Sequence, residues 1–207
     1  MKKSTLLLLA FAVCACRNEN IDNSIHELNL MNLKVGNYWI YEWYEIDPSN
    51  QATFLNKRDS VVIEKDTLIN GRTYFIKKGN FFGSVQFTKT ILFDSLQSIY
   101  SYPDRELLLT VNPSVTASKI FGTSNEPVAV GHYSMLDGNF AIEVPAGNYT
   151  TKNFEGRIEA TDPNYPYGIR YNDNYYSNNV GLVKVRTQFF SSPNDLEMRL
   201  IKYGNKN

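Results

Sequence analysis

From Tyr38 onward the apolar residues of this chain recur at every second position, and that period decides what it can fold into. Successive side chains of an extended strand point to opposite faces, so alternating apolar and polar residues mark a strand with one face in a core and the other in water. In "VQFTKTILF" the side chains of Val85, Phe87, Ile91 and Phe93 fall on one face, and Gln86, Thr88 and Thr90 on the other. "FAIEV" sets Phe140, Ile142 and Val144 against Glu143, and "LVKVRTQFF" sets Val183, Val185 and Phe189 against Lys184, Arg186 and Gln188. "LEMRLIKY" does the same with Leu196, Met198 and Leu200 against Glu197 and Arg199. Asn70-Gly71 and Asp137-Gly138 lie between such runs, and both dipeptides tolerate the positive φ that tight hairpin turns require. Roughly a dozen candidate strands at short spacing, with no long helical pattern between them, predict an all-β, mainly antiparallel fold. The expected form is a single curved meander sheet, half-barrel or barrel-like, with a sandwich as the alternative.

The N-terminus carries a different signal. Lys2 and Lys3 precede an apolar segment from Leu6 to Val13, far short of the ~20 residues that a helix needs to cross a bilayer. This is the pattern of a cleavable export signal. Val13, Cys14 and Ala15 then precede Cys16, which resembles the lipobox of bacterial lipoproteins, where the cysteine is acylated and the peptide before it removed. The alternatives are an ordinary secretory signal or attachment at Cys14; Cys14 fits worse, because Val13 would occupy the site that wants a small side chain. A redox CxxC pair is excluded, since one residue separates the cysteines. On the lipobox reading residues 1–15 are signal peptide, Cys16 is the lipid attachment site, and 16–33 form a tether before a single β domain over 34–207. Two or three acyl chains anchor stably where one holds only marginally, so the membrane is the first expected partner.

Loss of residues 1–15 leaves 192 of the 207 residues and, because only Lys2 and Lys3 go with them, a net charge of −2. That is enough chain for one core. A near-neutral domain has no electrostatic reason to bind nucleic acid, and basic pairs such as Lys77-Lys78 read as solvated surface. The polar stretch "RNENIDNS" suits a flexible tether. Ser24 and Glu27 have the spacing of a capping box, with Ile25, Leu28 and Met31 on one helical face, so at most one short N-terminal helix is expected, and it would lie there. Arg17 after the lipid site favours an outer-membrane destination by resemblance to enteric sorting, while Glu19 and Asp22 give only a spread-out acidic hint of surface display.

Three pieces, "LKVGNYWIYEWY", "VPAGNYTT" and "NNVGLVKVR", together resemble a broad set of Bacteroidota lipoproteins and periplasmic proteins that begin on a Val-Gly-Asn-x-Trp strand and end on a Val-Gly-Leu-Val-Lys hairpin. That set is similar to half-barrel carriers of the LolA and LppX kind. The resemblance implies a strongly curved antiparallel sheet with a concave apolar face.

Catalytic signals are sparse. With two histidines, His26 and His132, a three-histidine zinc site is impossible, and the mature chain would hold no free thiol. His132 lies two residues from Ser134, without the sharp GxSxG turn that presents a serine nucleophile. Glu143, Glu155 and Glu159 are close in sequence, which does not establish the ~5 to 10 Å separation a glycosidase needs. "NDNYYSNNVG" lacks the glycine and bidentate glutamate of a calcium loop and reads as an Asn-rich turn. The sequence thus predicts no cofactor, no metal and no enzyme activity. Aromatics are the stronger lead. Tyr165, Tyr167, Tyr171, Tyr175 and Tyr176 cluster in one stretch, and "NYWIYEWYE" alternates Tyr38, Ile40 and Tyr44 with Trp39, Tyr41 and Trp43. Such rings stack on sugars or line an apolar groove. The expectation is therefore a non-enzymatic β domain that binds a hydrophobic ligand or a protein partner, with surface glycan binding as the alternative; Trp39, Trp43 and the five tyrosines are the candidate contacts.

Overall fold

A computed structural model describes residues 28–123, 125–188 and 192–206. The lipobox, the helix start at Ser24 and Phe189 lie outside that range. The described residues form thirteen strands and no helix: β1 (Asn37–Ile46), β2 (Ala52–Ile69), β3 (Arg72–Gly79), β4 (Thr88–Ser95), β5 (Ser98–Tyr102), β6 (Leu107–Thr110), β7 (Ala117–Gly122), β8 (Pro127–Met135), β9 (Phe140–Val144), β10 (Gly147–Ala160), β11 (Arg170–Ser177), β12 (Gly181–Gln188) and β13 (Asp195–Asn205). They make one antiparallel sheet in the order β6-β5-β4-β3-β2-β1-β13-β12-β11-β10-β8-β7, with β9 also on β10. Two meanders are thus joined where the first strand pairs with the last, from Asn37 opposite Asn205 to Ile46 opposite Asp195. The sheet curls into a nearly closed barrel. No ladder joins the edges β6 and β7 among the described strands; instead Lys119 of β7 reaches Glu106, just before β6, at 3.0 Å.

Turn chemistry explains several connections. Asn70 (φ 51°) and Gly71 (φ 77°) form a two-residue hairpin between the paired Ile69 and Arg72, as the positive φ of a type I′ turn requires. Leu96 (φ 53°) and Gln97 (φ 63°) make the same turn between β4 and β5 with no glycine or asparagine, so no sequence signal marks it. Asp137-Gly138, expected to be a hairpin, is not one. β8 and β9 lie end to end along the same long strand, β10: Phe154–Ala160 pair with β8, and Gly147–Thr151 with β9. The positive φ of Gly138 turns a corner between them.

Two further expectations need correction. The strand expected over "VQFTKTILF" starts only at Thr88, and Val85 and Phe87 are 92% and 51% exposed. The loop before it folds back on Asp59, whose carboxylate accepts the N–H groups of Phe82 (3.0 Å) and Gly83 (2.8 Å), and this holds residues 80–87 out of the sheet. Nor does a helix run through Leu28 and Met31, since the chain from Leu28 to Leu33 is irregular. That segment, assigned to the tether by sequence, caps one end of the barrel. Leu30 is buried against Leu92, Ile99, Leu109, Met135, Phe154 and Tyr176. Asparagines lace it to the β11–β12 turn: the Asn29 N–H donates to Asn178 Oδ1 (2.9 Å), and Asn32 Nδ2 donates to the Asn179 carbonyl (2.7 Å).

A second cluster joins Trp39, Tyr41 and Ile63 to Val144, Val183 and Leu200. Where β1 and β13 shift register beside Tyr41, the Leu200 carbonyl accepts the Ala146 N–H (3.0 Å) and so fixes the β9–β10 hairpin. Another aromatic group, Tyr74, Phe93, Tyr100 and Tyr102, lies on the face of β3–β5 opposite the inward-facing Leu92. Among the polar alternates of β13, Glu197 is buried beneath Lys184 (2.8 Å) and Arg199, whose long side chains lie over it and neutralise it.

Candidate functional site

The alternation along β1 sends Trp39, Tyr41 and Trp43 inward, while Tyr38, Ile40 and Tyr44 form the half-buried opposite row. Cross-strand pairing then selects their neighbours. Tyr41 is opposite Asp59 and Leu200, Trp39 is opposite Val61, Trp43 is opposite Met198, and Ile63 is opposite Lys77. All of these side chains except Leu200, together with Leu182, Val185, Tyr176 and Phe81, line an inner cavity of about 280 Å³. A wider chamber of about 590 Å³ adjoins it, sharing Trp43, Phe81 and Val185 and opening along the β6–β7 seam between Leu107, Leu108, Ala117 and Lys119. Both volumes suit a small-molecule site.

Hydrogen bonds set the wall. The Trp39 indole donates to the Val180 carbonyl (2.6 Å), the Tyr41 hydroxyl to the Leu182 carbonyl (2.9 Å), and the Trp43 indole to Asp59 Oδ2 (2.7 Å). Each aromatic therefore has its polar atom satisfied and turns an apolar ring to the cavity. Gly181 sits where the Trp39 ring passes, and Gly156 where the Tyr133 ring lies across β10; a Cβ at either position would collide with the ring. In the wider chamber Asn172 Nδ2 donates to Tyr133 Oη (3.3 Å), and Thr187 donates to Asn172 Oδ1 (2.8 Å). That chamber is the more polar of the two.

The structure brings together three of the seven candidate aromatics, Trp39, Trp43 and Tyr176, on the inner cavity. Burial pushes the Tyr176 phenol up, and Tyr41 likewise, so both stay neutral. Tyr175 points the other way, edge-on to Phe140 at 5.9 Å; desolvation first, and then the Asp173 and Glu155 carboxylates, push its phenol up to about 12. Tyr165 and Tyr167 lie in the β10–β11 loop at the barrel end opposite Leu30, edge-to-face at 5.5 Å, with the Arg170 guanidinium over Tyr167. Tyr171 (39% exposed) and Tyr167 (38%) are the accessible members, and the five rings form no common platform.

Sequence reasoning missed Lys77, Asp59, Phe81 and Met198 as cavity residues. The pair Lys77-Lys78 is not all solvated surface. Lys78 faces out, beside Glu64 (3.9 Å) and the Phe87 ring (5.4 Å), whereas Lys77 faces the cavity opposite Ile63. The signal was present, because adjacent residues of a half-buried strand must take opposite faces. Of the other chemical candidates, His132 is exposed and bonded to Ser118 Oγ (3.1 Å) across β7–β8, and Glu159 is paired with Arg157 on the surface. Burial, with the Asp173 charge, raises the pKa of Glu155. "NDNYYSNNVG" is strand β11 and its turn into β12.

No protein-family profile matches the chain, and no curated protein is significantly similar to it. Its barrel-like fold is similar to that of two solved structures. A provisionally assigned lipoprotein from Parabacteroides distasonis ATCC 8503 superposes with a TM-score of 0.52 at 14% identity, covering 86% of this chain and 99% of its own. A provisionally assigned exported protein with a YmcC-like fold, from Bacteroides fragilis NCTC 9343, superposes with a TM-score of 0.52 at 9% identity, covering 86% of this chain and all of its own. At such identities the likeness speaks for the fold alone.

Proposed function

We propose that this is a lipid-anchored cell-envelope protein, held by Cys16 to the outer membrane, whose barrel binds an apolar small molecule without transforming it. One observation carries the reading: the cavity walled by Trp39, Tyr41, Trp43, Ile63, Val185 and Met198, in which the aromatic polar atoms are turned to backbone or Asp59 and the rings to the lumen. Burying apolar ligand surface there contributes about 25 cal/mol per Å² before the costs of association. The lipobox, and the lipoprotein and exported-protein names of the two fold neighbours, support the envelope location. The sequence resemblance to LolA- and LppX-like carriers supports the ligand class. Glycan binding has less behind it, since the tyrosines proposed for it are divided between lumen, outer face and rim. The test is organic extraction of the full chain purified from its native envelope, followed by mass spectrometry. A stoichiometric apolar compound, lost when Val185 and Met198 are both changed to Trp to fill the cavity, is the expected result; an extract no different from that of the filled variant would overturn it.

A further inference from the structure

Lys77 is a half-buried cation on the wall of an otherwise largely apolar cavity, and among the described residues no carboxylate or hydrogen-bond acceptor reaches its ammonium. Asp59, the acid on the same wall, is 2% exposed and already accepts the Trp43 indole and the N–H groups of Phe82 and Gly83. The other two groups beside Lys77 in the sheet, Ile63 and Thr90, carry no charge. The remaining lining is aromatic or aliphatic apart from Asn80, whose amide is committed to the Ser60 N–H and to the Arg58 and Ser84 carbonyls.

An ammonium in such surroundings is costly unless an anion meets it. Lys78, its neighbour on the outer face, shows what a solvated lysine of this sheet does, sharing Glu64 with Lys89. From this contrast we infer that the cavity selects a monoanionic amphiphile: an acyl chain along Trp39, Trp43, Val185 and Met198, with its carboxylate on Lys77. The inference rests on the lumen being a ligand site and adds the headgroup chemistry. Desolvation holds the Lys77 pKa below the ordinary lysine value, in line with a site whose charge is completed by a bound anion.

The protein has two tryptophans, and both line this cavity, so a brominated ligand in the lumen quenches its indole fluorescence directly. The full chain, kept in amphipol, is titrated with 11-bromoundecanoate and separately with its uncharged methyl ester. Wild type should bind the acid about tenfold more tightly than the ester, as a desolvated charge-assisted pair allows. In Lys77→Met the preference should vanish because acid affinity falls to that of the ester or below, while the ester still quenches, which also reports that the cavity is intact; Lys77→Arg should keep the preference. Quenching by acid and ester at equal concentrations in wild type would overturn the headgroup assignment and leave the apolar lumen standing. No quenching by either would overturn the lumen reading itself.

Discussion

The indole of Trp43 donates to the carboxylate of Asp59 across 2.7 Å, inside the barrel and 16 residues away along the chain. This contact ties the inward row of β1 to the loop at 80–87, because the same carboxylate also accepts the Phe82 and Gly83 N–H groups. Phe81 and Phe82 then pack edge-on to Trp43, each at 5.3 Å. One buried acid thus shapes both the cavity wall and its exposed apolar loop.

Asp59→Ala leaves the buried Trp43 indole and the part-buried N–H groups of Phe82 and Gly83 without their acceptor, and a loss of about 2 kcal/mol is expected from urea denaturation. Asp59→Asn keeps one oxygen but turns an amide toward those donors, so it should fall nearer to Ala than to wild type. A cost below about 1 kcal/mol for Asp59→Ala would show that the loop is not organised by this acid.

Leu30 tests the capping segment. Truncation to Ala opens a hole among Leu92, Ile99, Leu109, Met135, Phe154 and Tyr176, and such cavities cost about 2 to 5 kcal/mol. Thermal unfolding should show a single transition at lower temperature. An unchanged midpoint would mean that residues 28–33 do not pack into the barrel in solution.

Gly156 is required by Tyr133, whose ring occupies the space a Cβ would take. Gly156→Ala should therefore destabilise by about 1 to 3 kcal/mol. Replacing Tyr133 with Leu in the same chain should restore part of that loss, a non-additivity expected only of residues in contact. Additive losses in the double variant would contradict the packing.

The alkaline behaviour of Lys77 has a definite sign. Desolvation places its folded pKa below the reference 10.5, so between those two values the unfolded chain binds more protons and stability rises with pH. The burial cost is fully present below the folded pKa and gone above the unfolded one. Lys77→Met, which never carries that cost, should gain on wild type at pH 7 and lose the advantage as pH rises past 10.5. Urea midpoints of both proteins at pH 7 and pH 11 measure it; an advantage that does not shrink would refute the desolvated lysine.

Cys16→Ser should move the protein from the membrane to the soluble fraction, because the tether then lacks its acyl chains. Intact mass of the wild-type mature chain should correspond to residues 16–207 plus lipid. A mature product that retains residues 1–15 would rule out the lipobox assignment.

The strands, several turns and the two alternating rows of β1 were legible in the residues, though not which row would face inward. "NYWIYEWYE" shows its two faces, and Asn70-Gly71 its hairpin, because both depend on neighbours one or two positions apart. Val85 and Phe87 misled for the same reason. They keep the period of the strand that follows, but a carboxylate more than twenty residues earlier, Asp59, holds their loop out of the sheet. The five tyrosines looked like one cluster in one dimension; a strand start at Arg170 and the alternation of β11 scattered them to rim, outer face and lumen.

By itself, then, the chain determined that it would be built of half-buried antiparallel strands, since side-chain period is a local property; the leader pattern, equally local, carries the expectation of a lipid-accepting export signal that the Cys16→Ser experiment tests. Only the tertiary structure decided that the first strand pairs with the last, that the sheet curls until Lys119 meets Glu106, and that Lys77 lines the same lumen as Trp39 and Trp43. Those outcomes depend on which distant strands share a ladder and on how far the sheet's twist brings its edges together. No short window of sequence contains either quantity.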